Sequence, residues 1–310
     1  MATKEARYIY GPVPSRRLGR SLGVDLVPYK VCTYDCIYCQ LGRTTNKTIE
    51  RKEWVPTNEV LVQLKDALHS EPDYITLSGS GEPTLHAEIG RLIDAIKSMT
   101  DIPVAVITNG SLLWQRDVQD ALLDADLVVP SLDADSEEIF RYVNRPHAAI
   151  HFDQMADGLK EFRQRFRGRL WLEVFLLHGV TTVAGRIESL AAYIRQIAPD
   201  KVQVNTVARP PAEDYADAVP PERLEQMARA LSENAEVIAA YPHGTSSDGF
   251  RSDIEAIVSL LTRRPCSLED IASGLGMAPN EVAKQIDRLI AAGRVRMTRQ
   301  HGTFYRAASA

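Results

Sequence analysis

Residues 21–39 read SLGVDLVPYKVCTYDCIYC. The first eight carry apolar residues at alternating positions, the period of a short strand, and Pro28 closes them. Directly after come Cys32, Cys36 and Cys39, spaced Cys-x3-Cys-x2-Cys, while the fourth cysteine, Cys266, lies far away. A secreted disulfide framework spreads and pairs its cysteines. Three of them packed just past a strand read instead as a metal site in a reducing compartment. Thiolates suit zinc and iron–sulfur clusters. A structural zinc ion takes four protein ligands, and here the nearest histidine is His69. A four-iron cluster on three thiolates leaves one iron open to an exogenous ligand, which is what chemistry needs. Two plainer readings stand beside it. One is a zinc knuckle completed by Cys266 or a distant histidine. The other is three unligated core thiols, against which the polar neighbours Thr33, Asp35 and Gln40 argue.

Outward from this loop the pattern alternates. Helical spacing of apolar residues covers 60–68, 89–96, 118–123, 153–166, 187–197 and 221–233. Short β-branched or continuous apolar runs cover 74–77, 104–107, 127–132, 170–177, 201–207 and 237–240. Strands alternating with helices predict an α/β fold with a parallel sheet and helical crossovers. About six units suit an incomplete barrel, although spacing does not separate a barrel from an open sheet. In both, the chemistry sits at the carboxyl ends of the strands. Residues 241–249, YPHGTSSDG, read as a linker. Beyond them helices are expected over 254–261, 267–274 and 279–292, with strands over 294–298 and 303–306, a small winged helix-turn-helix pattern. Ser267 and Asp270 stand in capping-box positions at the second of these helices. The expected division is 1–245 for the barrel with a basic N-terminal extension, and 250–310 for the winged helix.

The 310 residues are 45% hydrophobic and 25% charged, which excludes disorder, collagen and coiled coil as the whole answer. No apolar run approaches the 18–20 residues of a membrane helix, and residues 1–10 lack the apolar stretch of a signal peptide. A cytoplasmic protein without a membrane partner is expected. The net charge of −5 is unevenly spread. Residues 1–52 hold 10 Lys+Arg against 4 Asp+Glu and residues 250–310 hold 9 against 6, so the middle is strongly acidic. Basic ends mark either anionic partners or simply a solvated surface.

The cysteine motif, with Tyr38 just before its third cysteine, resembles the radical S-adenosylmethionine superfamily. Other elements follow in the family's order. Residues 78–85, SGSGEPTL, resemble its Gly-Gly-Glu loop, with Ser80 in place of the first glycine. Thr108-Asn109-Gly110 is similar to its TNG, and Ser131-Leu132-Asp133-Ala134 to its SLDG. The resemblance covers about residues 20–240. It implies a partial (β/α)6 barrel with a [4Fe–4S] cluster on Cys32, Cys36 and Cys39. It implies that the open iron chelates S-adenosylmethionine, whose reductive cleavage yields a 5′-deoxyadenosyl radical that abstracts hydrogen from a substrate. It also implies cofactor-binding roles: Tyr38 beside the adenine, Gly81 and Glu82 for the ammonium group, and Thr108, Asn109, Ser131, Asp133 and Glu173 near carboxylate or ribose. Arg145 is a candidate partner of the methionine carboxylate. Helix capping, packing and surface pairing are the structural alternatives for these side chains. An electron donor such as flavodoxin or ferredoxin is implied as well.

Substrate information is sought in Arg16, Arg17 and Arg20 before the cysteine loop, in Arg43, Lys47, Arg51 and Lys52 after it, and in Asn205 and Arg209 at the sixth strand. Arginine forks suit phosphate or carboxylate, so an anionic small molecule or an RNA is expected. Shielding of a negative cluster is the alternative. His178 and His243 are read as structural. In the winged helix, Asn280, Lys284, Gln285 and Arg288 with Arg294, Arg296, Arg299 and His301 are the candidate contacts to nucleic acid, and protein docking is the other use of such a face. Cys266 is expected as a buried thiol. The enzyme is expected as an iron–sulfur oxidoreductase loosely similar to wybutosine-type enzymes. A glycyl-radical activating enzyme is one alternative, and a redox-sensing DNA-binding regulator another.

Overall fold

A computed structural model describes residues 6–15, 17–183, 185–239, 254–275, 277, 279–299 and 302–308. The chain enters through β1 (Ile9–Ser15), antiparallel to β2 (Gly19–Asp25). The cysteine loop follows, with the two-residue pair β3 (Val31–Cys32) and β4 (Asn46–Lys47). Then come α1 (Thr57–Ala67), β5 (Tyr74–Ser78), α2 (Ile89–Met99), β6 (Val104–Ile107), α3 (Arg116–Leu122) and β7 (Leu127–Val129). The helices α4 (Glu137–Val143) and α5 (Phe152–Arg165) precede β8 (Arg169–Phe175), α6 (Arg186–Ile197), β9 (Lys201–Asn205), α7 (Pro221–Leu231) and β10 (Ala235–Val237). The sheet order is β1-β2-β5-β6-β7-β8-β9-β10, and every pairing after the first is parallel. Six strand–helix units in sequence, closed by β10 rather than by a return to β1, form the expected partial barrel.

Strand alternation feeds two cores. Val104 and Val106 of β6 and Val128 of β7 join the large core under the helices, whereas Ala105, Leu127 and Val129 meet Leu18 on the opposite face. Burial on both faces is what a parallel sheet covered by crossovers requires. The expected strand over 127–132 stops at Val129, and Ser131 continues only as a single bridge to Glu173.

The C-terminal unit comprises α8 (Ile254–Arg263), α9 (Leu268–Leu275), α10 (Pro279–Ala291) and the antiparallel pair β11 (Val295–Arg299) and β12 (Thr303–Ala307). These are the elements expected of a winged helix. Its own core gathers Ile257, Leu261, Cys266, Ile271, Val282 and Ile286. The capping box is present in both directions: Asp270 N–H donates to Ser267 Oγ and Ser267 N–H to Asp270 Oδ2, each at 3.1 Å. The 241–249 linker and His243 lie outside the described residues, as do Arg16 and His301 and the side chain of Asn280. Among the described residues, no helix is long and apolar enough to cross a membrane.

Candidate active site

The cysteine loop owes its shape to what it buries. Tyr34 and Ile37 point inward, Tyr34 edge-on to Phe140 with centroids 5.3 Å apart. The intervening cysteines stay half-buried. A turn closed by Cys39 N–H on the Cys36 carbonyl (3.1 Å) sets the last two thiols together. Asp35 accepts the Thr44 N–H at 2.7 Å and ties the loop's return.

Each sulfur is met by a side-chain N–H donor from a different segment, and Cys32 by the Tyr34 backbone as well. Lys30 Nζ lies 3.2 Å from Cys39 Sγ, Asn109 Nδ2 3.6 Å from Cys32 Sγ, and Asn144 Nδ2 3.6 Å from Cys36 Sγ. Burial, then the Glu82 carboxylate, pushes the Cys32 thiol up to about 12, and burial raises Cys36 well above its usual value. Burial opposes the charge on Lys30, but the neighbouring thiols, Cys39 foremost, hold its pKa above the usual value. Thiols raised in this way, as at Cys32 and Cys36, ionise only against strong positive charge, as coordinated iron supplies. Three of them, each with a side-chain N–H donor, fit an iron–sulfur cluster, in which hydrogen bonds to sulfur tune the potential.

The three cysteines open onto one cavity of about 650 Å³ at the carboxyl ends of the strands. Glu82, after β5, is fully enclosed and held by four donors. Its Oε1 accepts from Thr84 N–H (3.0 Å), Thr84 Oγ1 (2.6 Å) and Thr108 Oγ1 (2.6 Å), and its Oε2 from Asn109 N–H (2.7 Å). Burial raises its pKa, with these donors pulling the other way. Gly81 backs so closely onto the Val31 carbonyl that a Cβ there would lie 1.8 Å from it. At the far strands Arg17 pairs with Glu173 (2.9 Å), whose other oxygen accepts from Asn205 Nδ2 (3.0 Å).

Of the residues singled out from sequence, Cys32, Cys36, Cys39, Tyr38, Gly81, Glu82, Thr108, Asn109, Ser131, Glu173, Arg17, Asn205 and Arg209 all line this cavity. Two do not. Asp133 sits behind the wall, where it accepts from the Tyr38 hydroxyl, Asn144 Nδ2 (2.8 Å) and Phe175 N–H (3.0 Å). Burial raises its pKa to about 6, with Tyr38 and Asn144 opposing. Arg145 turns away. Its backbone is left-handed (φ 44°), and its guanidinium binds Glu213 (2.6 Å) and the Tyr215 hydroxyl (2.7 Å), so nearby carboxylate claims it before any ligand does. The basic cluster likewise disperses. Arg20 donates to the Ser70 carbonyl, Arg43 pairs with Glu213, and Arg51 pairs with Asp117.

Sequence reasoning missed Lys30, which lay two residues before the motif with no pattern to mark it, and Phe175. The Phe175 ring stacks on Tyr38 with centroids 3.9 Å apart and planes 10° apart. Cys266 is buried in the C-terminal core and bridges to Tyr305, so it does not complete the cysteine set.

The profile of the Radical SAM superfamily matches residues 26–184. Over 297 residues the chain is 38% identical to a protein named GTPase Obg from Brachyspira hyodysenteriae, covering 94% of this chain but only 44% of that one. It is 37% identical over 233 residues to UPF0026 protein MJ1312 of Methanocaldococcus jannaschii, covering 74% of this chain and 71% of the relative. Its fold is similar to a crystal structure of a radical SAM methyltransferase from Sphaerobacter thermophilus, with a TM-score of 0.51, 19% identity, and 72% and 67% of the two chains covered. With half its length inside that profile and three cysteines converging at the mouth of the matching barrel, the chain belongs to the radical SAM superfamily, and is an enzyme that works with a [4Fe–4S] cluster and S-adenosylmethionine.

Proposed function

We propose that this enzyme cleaves S-adenosylmethionine reductively and uses the product to take a hydrogen atom from a small anionic substrate. The observation that carries the reading is the convergence, on one cavity, of three sulfurs each with its own N–H donor and of the enclosed Glu82. When bound, the cluster supplies the electron and the sulfonium compound the hydrogen-abstracting group.

The chain's residues hold and orient. Cys32, Cys36 and Cys39 would hold the cluster. Glu82 keeps an acceptor toward the methionine ammonium, and its four donors prevent it from relaxing when the charge arrives. Ser131 offers its hydroxyl to carboxylate or ribose, and the Asn109 side-chain carbonyl can accept from a ribose hydroxyl beside the Ser111 N–H; Thr108, whose proton goes to Glu82, serves by orienting that carboxylate. Tyr38, clamped between Asp133 and Phe175, presents a fixed ring edge for the adenine. Glu173 and Asn205 stand beyond them on adjacent strands, with Arg17 bound to Glu173.

Arg7, Arg17, Arg209, Arg263 and Arg264 line the same cavity. Arg17, Arg209 and Arg263 are matched by Glu173, Asp270 and Asp25, so the support for an anionic substrate comes from Arg7. Ser259, Leu260 and Arg263 of α8 form part of its wall. A wall there favours a small molecule over an RNA or the glycyl loop of a partner enzyme. A low-potential flavodoxin or ferredoxin is the proposed reductant.

The test is anaerobic reconstitution, reduction with dithionite in the presence of S-adenosylmethionine, and assay of 5′-deoxyadenosine. The wild-type protein is expected to release it slowly without substrate. Cys36→Ala is expected to release none and to lose the cluster absorbance at about 400 nm. Equal release by both proteins defeats the reading.

A further inference from the structure

Arg263, the last residue of α8, comes from the C-terminal unit yet reaches into the barrel. Its guanidinium pairs with the buried carboxylate of Asp25 at the end of β2. It also lies over the ring of Tyr10 in β1, 4.3 Å from the centroid. Both partners lead to the same loop, residues 78–82. Asp25 Oδ1 accepts the Ser80 N–H at 2.6 Å, and Oδ2 accepts the Ser80 hydroxyl at 3.1 Å. The Tyr10 hydroxyl lies 3.2 Å from Ser78 Oγ. Between these two serines Gly79 has φ +122°, and a Cβ there would fall 1.8 Å from Asp25 Oδ1, so the carboxylate rests directly against the loop backbone. The other side of the loop is tied to the cysteine loop, by Lys30 N–H on the Ser80 carbonyl (2.7 Å) and Glu82 N–H on the Val31 carbonyl (3.1 Å).

We propose that Arg263 is a positioning residue for S-adenosylmethionine: through Asp25 and Tyr10 it fixes the 78–82 loop, which takes its binding shape only when the C-terminal unit is seated. This rests on the reading of Gly81 and Glu82 as the receivers of the methionine ammonium. The physical reason is the buried Asp25 charge. Without Arg263 the carboxylate keeps the two Ser80 donors but loses its cation, and a buried carboxylate stripped of its cation draws in water or a proton and shifts the groups bound to it. Because such coupling is reciprocal, S-adenosylmethionine in turn favours the seated C-terminal unit.

The test uses the full chain with its cluster reconstituted, and three readouts: iron and sulfide per chain, S-adenosylmethionine Kd by anaerobic equilibrium dialysis, and amide hydrogen exchange of the peptide spanning 78–84 without S-adenosylmethionine. Arg263→Ala is expected to keep its iron, weaken binding tenfold or more, and exchange faster over 78–84. Arg263→Lys keeps the charge but not the planar fork, and is expected to fall between. Tyr10→Phe removes one of the two ties and is expected to loosen the peptide less. Wild-type Kd and exchange in Arg263→Ala overturn the proposal. Should that variant lose iron, wild-type behaviour of both Arg263→Lys and Tyr10→Phe overturns it instead. If the iron-replete wild-type protein fails to bind S-adenosylmethionine, the functional reading fails, while the exchange comparison still decides the role of Arg263.

Discussion

His86 is fully buried just after the 78–85 segment and uses both ring nitrogens: Nε2 donates to the Val55 carbonyl at 2.9 Å, and Nδ1 accepts the Glu88 N–H at 3.2 Å. That arrangement suits only the neutral ring. Burial lowers its pKa below 6.5, the Val55 carbonyl and two nearby glutamates opposing. The unfolded chain therefore binds the proton first as pH falls. Stability is complete above about pH 6.5 and declines from there toward the folded pKa. Thermal unfolding at pH 7.5 and 5.5 is expected to show a larger drop for the wild type than for His86→Gln, and equal drops would refute the assignment. At the chamber the legible residues were those in motifs. Glu82 and Thr108 could be placed because their neighbours repeat a known order. Arg145 could not, because the Glu213 that claims it lies 68 residues away. Lys30 was invisible for the same reason: its importance is a distance to sulfur, and no spacing encodes that.

At the scale of elements, periodicity worked where burial is one-sided. The buried face of α5, Phe152, Met155, Ala156, Leu159 and Phe162, follows the helical period, and Phe162 stacks on Phe166 at 5.0 Å. Phe162→Ala should cost about 3–5 kcal/mol, measurable by denaturant unfolding of the apo chain; a cost below about 1 kcal/mol would mean this helix packs elsewhere. Among the elements that escaped notice are one strand and one short helix. The strand β1 carries Gly11, Pro12 and Pro14, which mask its period, and it survives because an edge strand tolerates prolines. The helix α4 has only seven residues, four of them charged or tyrosine, and shows itself through Ser136, whose hydroxyl accepts the Ile139 N–H at its start.

At the scale of the whole molecule, the uneven charge meets the placement of the C-terminal unit. Arg209 of the barrel lies 3.5 Å from Asp270 of α9, both buried, and Arg306 of β12 reaches Tyr29 beside the cysteine loop. That unit also exposes Lys284, Arg288, Arg296 and Arg299 together with Glu281 and Asp287. A polyanion has a foothold there and meets an acidic barrel elsewhere, so retention on immobilised tRNA is expected to be weak and steeply salt-dependent. The pair Lys284→Glu with Arg288→Glu should abolish it. Retention unchanged by that pair removes nucleic acid as a partner of this face.

Sequence alone determined the alternation of strands and helices, the three-thiol loop and the order of strand-end motifs, because each is a local pattern whose period or spacing has few physical meanings. Tertiary structure alone decided which cations face the ligand chamber and which are spent on carboxylates, and that Arg263 from the far end of the chain touches Asp25 and Tyr10. Those outcomes depend on pairings across up to 253 residues of separation, where burial makes an unpaired charge costly and the nearest opposite charge wins.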